Sequence, residues 1–288
     1  MSLLAKVKTS RTTKPVRMAL YGRTGAGKTS FAADAPSPVF LAAEDGLVSV
    51  ETPSFHPENF PEVLTFLDEL IKGAHTYRTL VVDSLDWLEL LLHKHVAEQN
   101  GVESLGDVPY GKLYDKLPGR WREVLVKLQT LQEKRQMNVI LICHQQNRQI
   151  FNPDGADYSC ADLKLHESKT VKTGELIREW VDIVAMADIE KAVTDKDSGA
   201  KVKTSKNFLL YTGTNLARVT KSRYPIPDKL PLDWRKFQAA LDDARPRTVD
   251  EALAELKTLG ATQEHIEKAG QDVNKLNRLV HWYKDKSK

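Results

Sequence analysis

Residues 22–29 constrain the fold of this chain more than any other stretch. They read Gly-Arg-Thr-Gly-Ala-Gly-Lys-Thr and match the G-x-x-x-x-G-K-S/T pattern of a phosphate-binding loop at every fixed position. Residues 16–21 before the loop have the apolar character of a strand, and residues 30–35 after it form a short helical pattern that Pro36 ends. This strand, loop and helix context favours a nucleotide site over a glycine-rich turn without a ligand.

Each position of the loop has a role in binding a nucleoside triphosphate. The glycines allow backbone N–H groups to surround the phosphates, and the helix that follows turns its positive N-terminus toward them. Lys28 is expected to reach the β- and γ-phosphates, and the Thr29 hydroxyl is expected to hold Mg²⁺. We therefore predict ATP and Mg²⁺ as cofactors. The residues predicted to bind the nucleotide are Gly22, Arg23, Thr24, Gly25, Ala26, Gly27, Lys28, Thr29 and Ser30.

Composition predicts a globular protein that does not enter a membrane. The 288 residues are 41% hydrophobic, and no run approaches the ~18 apolar residues that a bilayer span requires. The first residues lack the apolar segment of a secretory signal, so a cytoplasmic protein is expected. Cys143 and Cys160 are too few for a disulfide framework. The formal net charge of +3 does not by itself indicate a nucleic-acid-binding protein.

Three further apolar runs have the pattern of buried strands, and each leads to a polar side chain. The runs are residues 39–42, 79–82 and 138–143, and the side chains that follow them are Glu44, Asp83 and His144. Open α/β sheets bind ligands at the carboxyl ends of their strands. Glu44 is predicted to polarise the attacking water, with a surface turn as the alternative. Asp83 is predicted to hold Mg²⁺, with Asp86 as the second candidate. His144 is predicted to sense the γ-phosphate, with a buried structural histidine as the alternative.

The chain divides into three regions by charge and by pattern. Residues 1–14 form a basic arm, and residues 15–240 contain the alternating strands and helices of an α/β core. Residues 248–288 form a small helical region, which opens at Thr248 with a capping-box pattern and continues with a second helical segment over residues 263–283. We expect this region to dock on the core or on a protein partner.

The order of these motifs resembles the RecA-like ATPase core, and more narrowly the phage-encoded RecA-like proteins of single-strand annealing and recombination. The resemblance covers residues 15 to about 237. It implies a P-loop fold with a mainly parallel central sheet flanked by helices, to which the C-terminal helices are a small appendage. It also implies catalytic roles for Lys28, Glu44 and His144. Single-stranded DNA and further copies of the chain, in a filament or ring, are the partners that it implies.

Residues 217–224 carry a further feature of this superfamily. They are similar to the Lys-Asn-Arg-Phe-Gly motif of its branch-migration proteins, although Ser222 stands in place of the asparagine and Pro225 in place of the glycine. The resemblance implies that Lys221 and Arg223 act in trans, on the ATP of a neighbouring subunit. Solvated charges at a strand end are the alternative.

Two polar segments are candidates for DNA contact, the first by its composition and the second because the resemblance implies that the loops after Asp83 and His144 face DNA. Residues 100–119 contain Tyr110, Lys112, Tyr114 and Lys116. Residues 145–158 contain Gln145, Gln146, Asn147, Arg148, Gln149 and Phe151. Aromatic and basic side chains suit base stacking and phosphate contact, and a plain connector is the alternative for each segment.

These predictions lead to two hypotheses of function from different classes. The first is a Mg²⁺-dependent ATPase, stimulated by single-stranded DNA, that acts in phage recombination, annealing or repair. The second is a nucleotide-controlled binding module with little turnover that recruits a replication or recombination partner. A small-molecule kinase is disfavoured because no arginine-rich lid follows the core.

Overall fold

The structure is a computed structural model that describes residues 14–47, 50–153, 155–194, 201–245 and 247–286. These residues fall into two compact units, which meet in sequence between Asp243 and Ala244. The larger unit mixes strands and helices, and the smaller unit is helical. The basic arm predicted for residues 1–14 lies outside the described residues except for Lys14.

The described part of the larger unit contains ten strands and six α-helices, with three short 3-10 helices at Leu105–Asp107, Pro109–Gly111 and Tyr114–Lys116. The strands are β1 (Arg17–Gly22), β2 (Pro38–Ala42), β3 (Ser54–Phe55), β4 (Thr79–Asp83), β5 (Asn138–Ile150), β6 (Tyr158–Leu163), β7 (Ile183–Thr194), β8 (Lys201–Tyr211), β9 (Lys221–Ser222) and β10 (Lys229–Pro231). The helices are α1 (Lys28–Ala33), α2 (Phe60–Lys72), α3 (Leu85–Gln99), α4 (Leu117–Arg135), α5 (Thr173–Trp180) and α6 (Trp234–Ala244).

The strands form one sheet in the order β10-β8-β7-β1-β5-β4-β2-β3, with β6 paired to β5 and β9 paired to β7. The run from β7 to β3 is parallel, whereas β6, β8, β9 and β10 pair antiparallel with their neighbours. The predicted α/β class with a mainly parallel sheet is therefore confirmed. β5 lies between β1 and β4 in the sheet. The segments that follow β1 and β4, and the outer half of β5, therefore leave the same edge of the sheet side by side.

Both faces of the central strands are covered. Side chains on one face, such as Tyr21, Leu41 and Val82, pack with α2 to α5 in one hydrophobic cluster. Their chain neighbours Leu20 and Phe40 are also fully buried. This double burial explains why these strands are continuous apolar runs in the sequence. No helix in the described ranges has both the length and the apolar character needed to cross a membrane.

Two predicted boundaries were wrong. Residues 145–150 were predicted as part of a loop, but β5 continues through them and pairs antiparallel with β6. The outer half of β5 is polar because it leaves the buried sheet, so it lacks the apolar signal of a strand. The smaller unit contains α7 (Val249–Thr258), α8 (Gln263–Ala269) and α9 (Val273–Lys286). The single segment predicted over residues 263–283 is thus two helices, separated at Gly270, where φ is +59°.

We expect Gly22→Ala to weaken the contact between β1 and β7. A Cβ atom on Gly22 would lie 2.3 Å from the carbonyl oxygen of Ala187, so the two strands would have to separate. Overpacking of this kind lowers the free energy of unfolding by about 1–3 kcal/mol. Gly119→Ala is the matched control, because a Cβ atom there meets no atom within 4 Å and the residue lies in α4. Equal unfolding free energies in urea for the two variants would contradict the expectation.

Glu89 of α3 predicts a pH dependence of stability. The residue is 5% exposed, its Oε2 accepts a hydrogen bond from the His166 backbone N–H, and burial raises its pKa to about 7. The folded state therefore holds the proton more tightly than the unfolded chain, and this stabilisation is lost as the pH rises through 7. The free energy of unfolding should fall by up to about 3 kcal/mol between pH 5 and pH 8 from this group. Urea unfolding of Glu89→Gln should lack this component, and an identical pH profile in both proteins would refute it.

Candidate nucleotide site

The phosphate loop joins β1 to α1 and holds its lysine against its own backbone. Gly25 and Gly27 have φ values of +77° and +80°, a left-handed conformation that side chains other than glycine seldom adopt. The Lys28 ammonium donates to the carbonyl oxygens of Gly22 and Arg23, each at 3.0 Å. Burial lowers the pKa of Lys28, and the carboxylate of Asp83 opposes that shift. The ammonium is therefore a desolvated cation beside the loop that would surround phosphates.

The two predicted metal ligands are hydrogen-bonded to each other. The Thr29 hydroxyl donates to Asp83 Oδ2 at 2.8 Å. Asp83 is 4% exposed, and burial raises the pKa of its carboxyl, although the bond from Thr29 lowers it. A hydroxyl and a carboxylate are hard oxygen ligands of the kind that Mg²⁺ prefers, so the residues present fit this ion. The sheet provides the juxtaposition, because α1 starts beside the end of β4.

Glu44 and His144 lie on either side of β4, Glu44 just after β2 and His144 within β5, and both contact carboxylate or hydroxyl groups. Glu44 Oε2 accepts from the Ser84 hydroxyl at 2.7 Å and lies 3.8 Å from His144 Nδ1. His144 Nδ1 lies 2.9 Å from Asp86 Oδ2, and the His144 backbone N–H donates to Asp86 Oδ1 at 3.1 Å. Burial alone would raise the pKa of Asp86, but its hydrogen bonds with His144 hold that pKa below the usual value. Asp86, the second candidate for the metal, is hydrogen-bonded to His144, and a role as a metal ligand stays a prediction.

One open pocket of about 550 Å³ brings most of the predicted site residues together. It is lined by residues 24–30 of the loop and by Glu44, Asp83 and His144. Gly22 and Arg23 do not line the pocket, and their carbonyl oxygens accept hydrogen bonds from the Lys28 ammonium. Five lining residues were not among the predicted site residues: Phe31, Asp34, Gly46, Phe208 and Leu232. Phe208 is 40% exposed, an unusual state for an aromatic strand residue, but exposure cannot be read from sequence.

Lys221 and Arg223 lie at the other end of the sheet. β9 pairs with Ile183 and Val184 at the start of β7, whereas the phosphate loop leaves β1 beside Ala187. The Lys221 ammonium donates to the carbonyls of Arg178, Glu179 and Val181 at the end of α5. Burial lowers the pKa of Lys221, as does the charge of Arg223 to a smaller extent.

Arg223 is bonded to the same region of its own chain. Its guanidinium donates to Asp182 Oδ1 at 2.9 Å and to the Glu179 carbonyl at 2.9 Å. Asp182 also binds Arg17, at 2.8 Å. The structure does not bring Lys221 and Arg223 into the pocket of their own subunit, and their action in trans stays a prediction.

The two segments predicted to contact DNA are only partly free to do so. Arg148 is paired with Asp162 at 2.7 Å and with Glu167 at 3.0 Å, so its charge stabilises the base of the β5–β6 hairpin. Phe151 beyond the end of β5 is 78% exposed. In the other segment, Tyr110 is 97% exposed, whereas Tyr114 stacks on His166 with ring centroids 4.4 Å apart. Among the described residues of these two segments, the exposed aromatic side chains are thus Tyr110 and Phe151.

Comparisons with known proteins give a family for the chain. Among solved structures, it is similar to a crystal structure titled RadB recombinase, with 13% sequence identity and a TM-score of 0.40 over 69% of this chain and 80% of that chain. A likeness this weak supports no conclusion about activity. A search of curated proteins found no match. A family model described as an AAA domain matches residues 14–224. Because this match spans well over half of the chain and includes the phosphate loop, the chain belongs to this AAA domain family.

Proposed function

We propose that the chain binds ATP with Mg²⁺ in the pocket around residues 24–30 and hydrolyses it. The observation that carries this proposal is that Lys28, the Thr29–Asp83 pair and Glu44 line one pocket. These are a phosphate-binding cation, a pair of hard oxygen ligands and a carboxylate at a neighbouring strand end. Each is a component that phosphoryl transfer to water requires.

The residues have distinct roles in this proposal. Lys28 exchanges its loop carbonyls for the β- and γ-phosphate oxygens and offsets their charge. Thr29 and Asp83 hold Mg²⁺, which supplies positive charge to the phosphates when bound. Glu44 orients the attacking water and accepts its proton, and the Ser84 hydroxyl fixes the orientation of that carboxylate. His144 lies beside Glu44 and responds to the γ-phosphate, while Asp86 holds its ring.

We further propose that the chain acts on single-stranded DNA in recombination, annealing or repair, in the manner of the phage proteins that it resembles. The support is the continuity of β5, which runs from the buried sheet past His144 into the β5–β6 hairpin. Phe151 beside this hairpin is exposed and suits stacking on an unpaired base. A change at His144 would thereby reach the DNA-contacting segment through one strand.

Assembly into a homo-oligomer is supported by the charge of the pocket. Among the described residues, Lys28 is the only lysine or arginine that lines it. The charge that develops on the phosphates in the transition state commonly requires an additional cation, which another subunit can supply. Lys221 and Arg223 are the residues that we propose for this role.

Phosphate release from ATP tests the proposed activity. Wild-type protein should release phosphate, faster with single-stranded DNA, whereas Lys28→Ala and Glu44→Gln should each reduce the rate by about 100-fold or more. The same assay with and without a single-stranded oligonucleotide tests the action on DNA, because the rate should rise when the oligonucleotide is present. Lys236→Ala is a suitable control, because this exposed lysine of α6 does not line the pocket.

The same variants separate the enzyme from the nucleotide-controlled switch. If wild type binds ATP but Glu44→Gln and wild type have the same negligible turnover, the ATPase proposal is wrong and the switch is favoured. A product other than free phosphate would contradict hydrolysis and indicate phosphoryl transfer to another acceptor.

Mixing two inactive variants tests the trans cations. Arg223→Ala keeps an intact pocket and Lys28→Ala keeps an intact Arg223, so mixed oligomers should recover activity. Roughly a quarter of the wild-type rate is expected at equal amounts, since half the subunits have a working pocket and half of those adjoin an intact arginine. Arg17 still pairs with Asp182 in Arg223→Ala, which favours a folded variant.

Light scattering and thermal unfolding serve as controls for this mixture. If both variants assemble and unfold like wild type but their mixture stays inactive, Arg223 does not act on a neighbouring pocket. Full activity of Arg223→Ala alone would lead to the same conclusion.

A further inference from the structure

One face of α9 in the smaller unit carries a stripe of cations with an aromatic residue among them. The stripe consists of Lys275, Arg278, Trp282 and Lys286. Their spacing of three, four and four residues places these side chains on one helix face. The stripe is about 16 Å long, given a rise of 1.5 Å per residue. The opposite side of α9 provides Leu276 and Val280 to the core of the unit, so α9 cannot turn this face inward.

Residues of α8 widen the stripe into a groove. The groove has a volume of about 470 Å³ and is lined by His265, Lys268, Ala269, Lys275, Arg278, Leu279 and Trp282. His265 meets the Trp282 ring edge-on, with centroids 5.6 Å apart, and its Nδ1 lies 2.7 Å from the Tyr283 hydroxyl. The lining therefore combines apolar side chains with three cations, Lys268, Lys275 and Arg278.

The cations of the stripe are available to a ligand. Neither Lys275 nor Arg278 forms a salt bridge within the described ranges, and both are exposed. Lys286 Nζ lies 3.9 Å from the centroid of the Trp282 ring, and Trp282 is 43% exposed. Lys268, by contrast, pairs with Glu264 at 2.7 Å. The free positive charge of the groove is thus concentrated along α9.

We propose that this groove is a binding site for single-stranded nucleic acid that requires no nucleotide. Lys275 and Arg278 in the groove, and Lys286 at the end of the stripe, contact successive phosphates, and a base stacks on Trp282. A linear series of cations with an interleaved aromatic ring matches a polymer that repeats a phosphate and a base, as in other single-strand sites. The Lys286 ammonium exchanges the ring for a phosphate when the base stacks.

An acidic peptide is the other class of ligand that a basic, apolar groove can accept. The arrangement along α9 favours nucleic acid, because a repeating polyanion engages cations spread over the length of the helix. This groove and the proposed ATP pocket have no lining residue in common. Binding to the groove is therefore expected in the absence of ATP.

The test is fluorescence anisotropy of the full chain with a fluorescein-labelled oligodeoxythymidine, without ATP, at several salt concentrations. Arg278→Glu should weaken binding about tenfold and lower the slope of log affinity against log salt by about 0.7, the contribution of one phosphate contact on a single strand. Lys257→Glu is the matched control. It makes the same charge change on an exposed residue of α7 in the same unit, outside the groove, and should alter affinity less than twofold.

Trp282 gives an independent test of the stacked base. Trp282→Ala should weaken binding by roughly fivefold or more, and Trp282→Phe should retain most of the affinity, because a phenyl ring also stacks. Thermal unfolding of each variant establishes that the smaller unit still folds. Equal affinities for Arg278→Glu and Lys257→Glu would overturn the proposal.

A second probe distinguishes the two ligand classes. If a fluorescein-labelled acidic peptide containing phenylalanine binds to wild type and not to Arg278→Glu, while DNA affinity is the same in both, the groove is a peptide site and the proposal is wrong. Neither result bears on the DNA-stimulated phosphate release of the core, which Lys28→Ala and Glu44→Gln test separately.

Discussion

Backbone hydrogen bonds of the parallel sheet decide which side chains of the core can meet. β5 is bonded to β1 on one side and to β4 on the other, with Gly22 opposite His144 and Asp83 opposite Ile142. A shift of one residue in either ladder would move every side chain of a strand to the opposite face, where it would not fit the side chains packed there, so close packing on both faces enforces this register. The phosphate loop, the Asp83 carboxylate and the His144 ring consequently emerge together, although long stretches of chain separate them.

The charge of the pocket follows from this convergence. Asp83 and Glu44 line the pocket with one ammonium, that of Lys28, among the described residues, and burial raises the pKa of Asp83. Asp86 lies outside the lining, 2.9 Å from His144 Nδ1 and 3.8 Å from Lys164 Nζ. A triphosphate adds more negative charge, which Mg²⁺ and a cation from outside the subunit would offset. Lys221 and Arg223 already stabilise the end of α5 in their own chain. A role for them in trans would require a neighbouring pocket to compete with these bonds.

The β5–β6 hairpin combines a stable base with an exposed tip. The buried Asp162 accepts bonds from Arg148 and Arg178, each at 2.7 Å, which ties the hairpin to α5. β5 is also the strand that carries His144, so the pocket and the hairpin share one rigid element. A nucleotide would change the position of the hairpin only if it bound more tightly to one conformation of β5 than to another. The bond between His144 and Asp86 is the contact that such a difference would have to change.

The sequence by itself determined those features that a short run of consecutive residues encodes. The phosphate loop follows from eight consecutive residues, and Glu44, Asp83 and His144 follow from the apolar strands just before them. Tertiary structure alone decided what depends on distant contacts. Arg148 was predicted as a possible DNA contact, but a buried carboxylate from another strand engages it. Phe208 and Leu232 reach the pocket because β7 pairs with β1 and β8 folds back along β7. Composition and spacing report burial and local geometry, whereas the partner of a long polar side chain is set by elements far away in the chain.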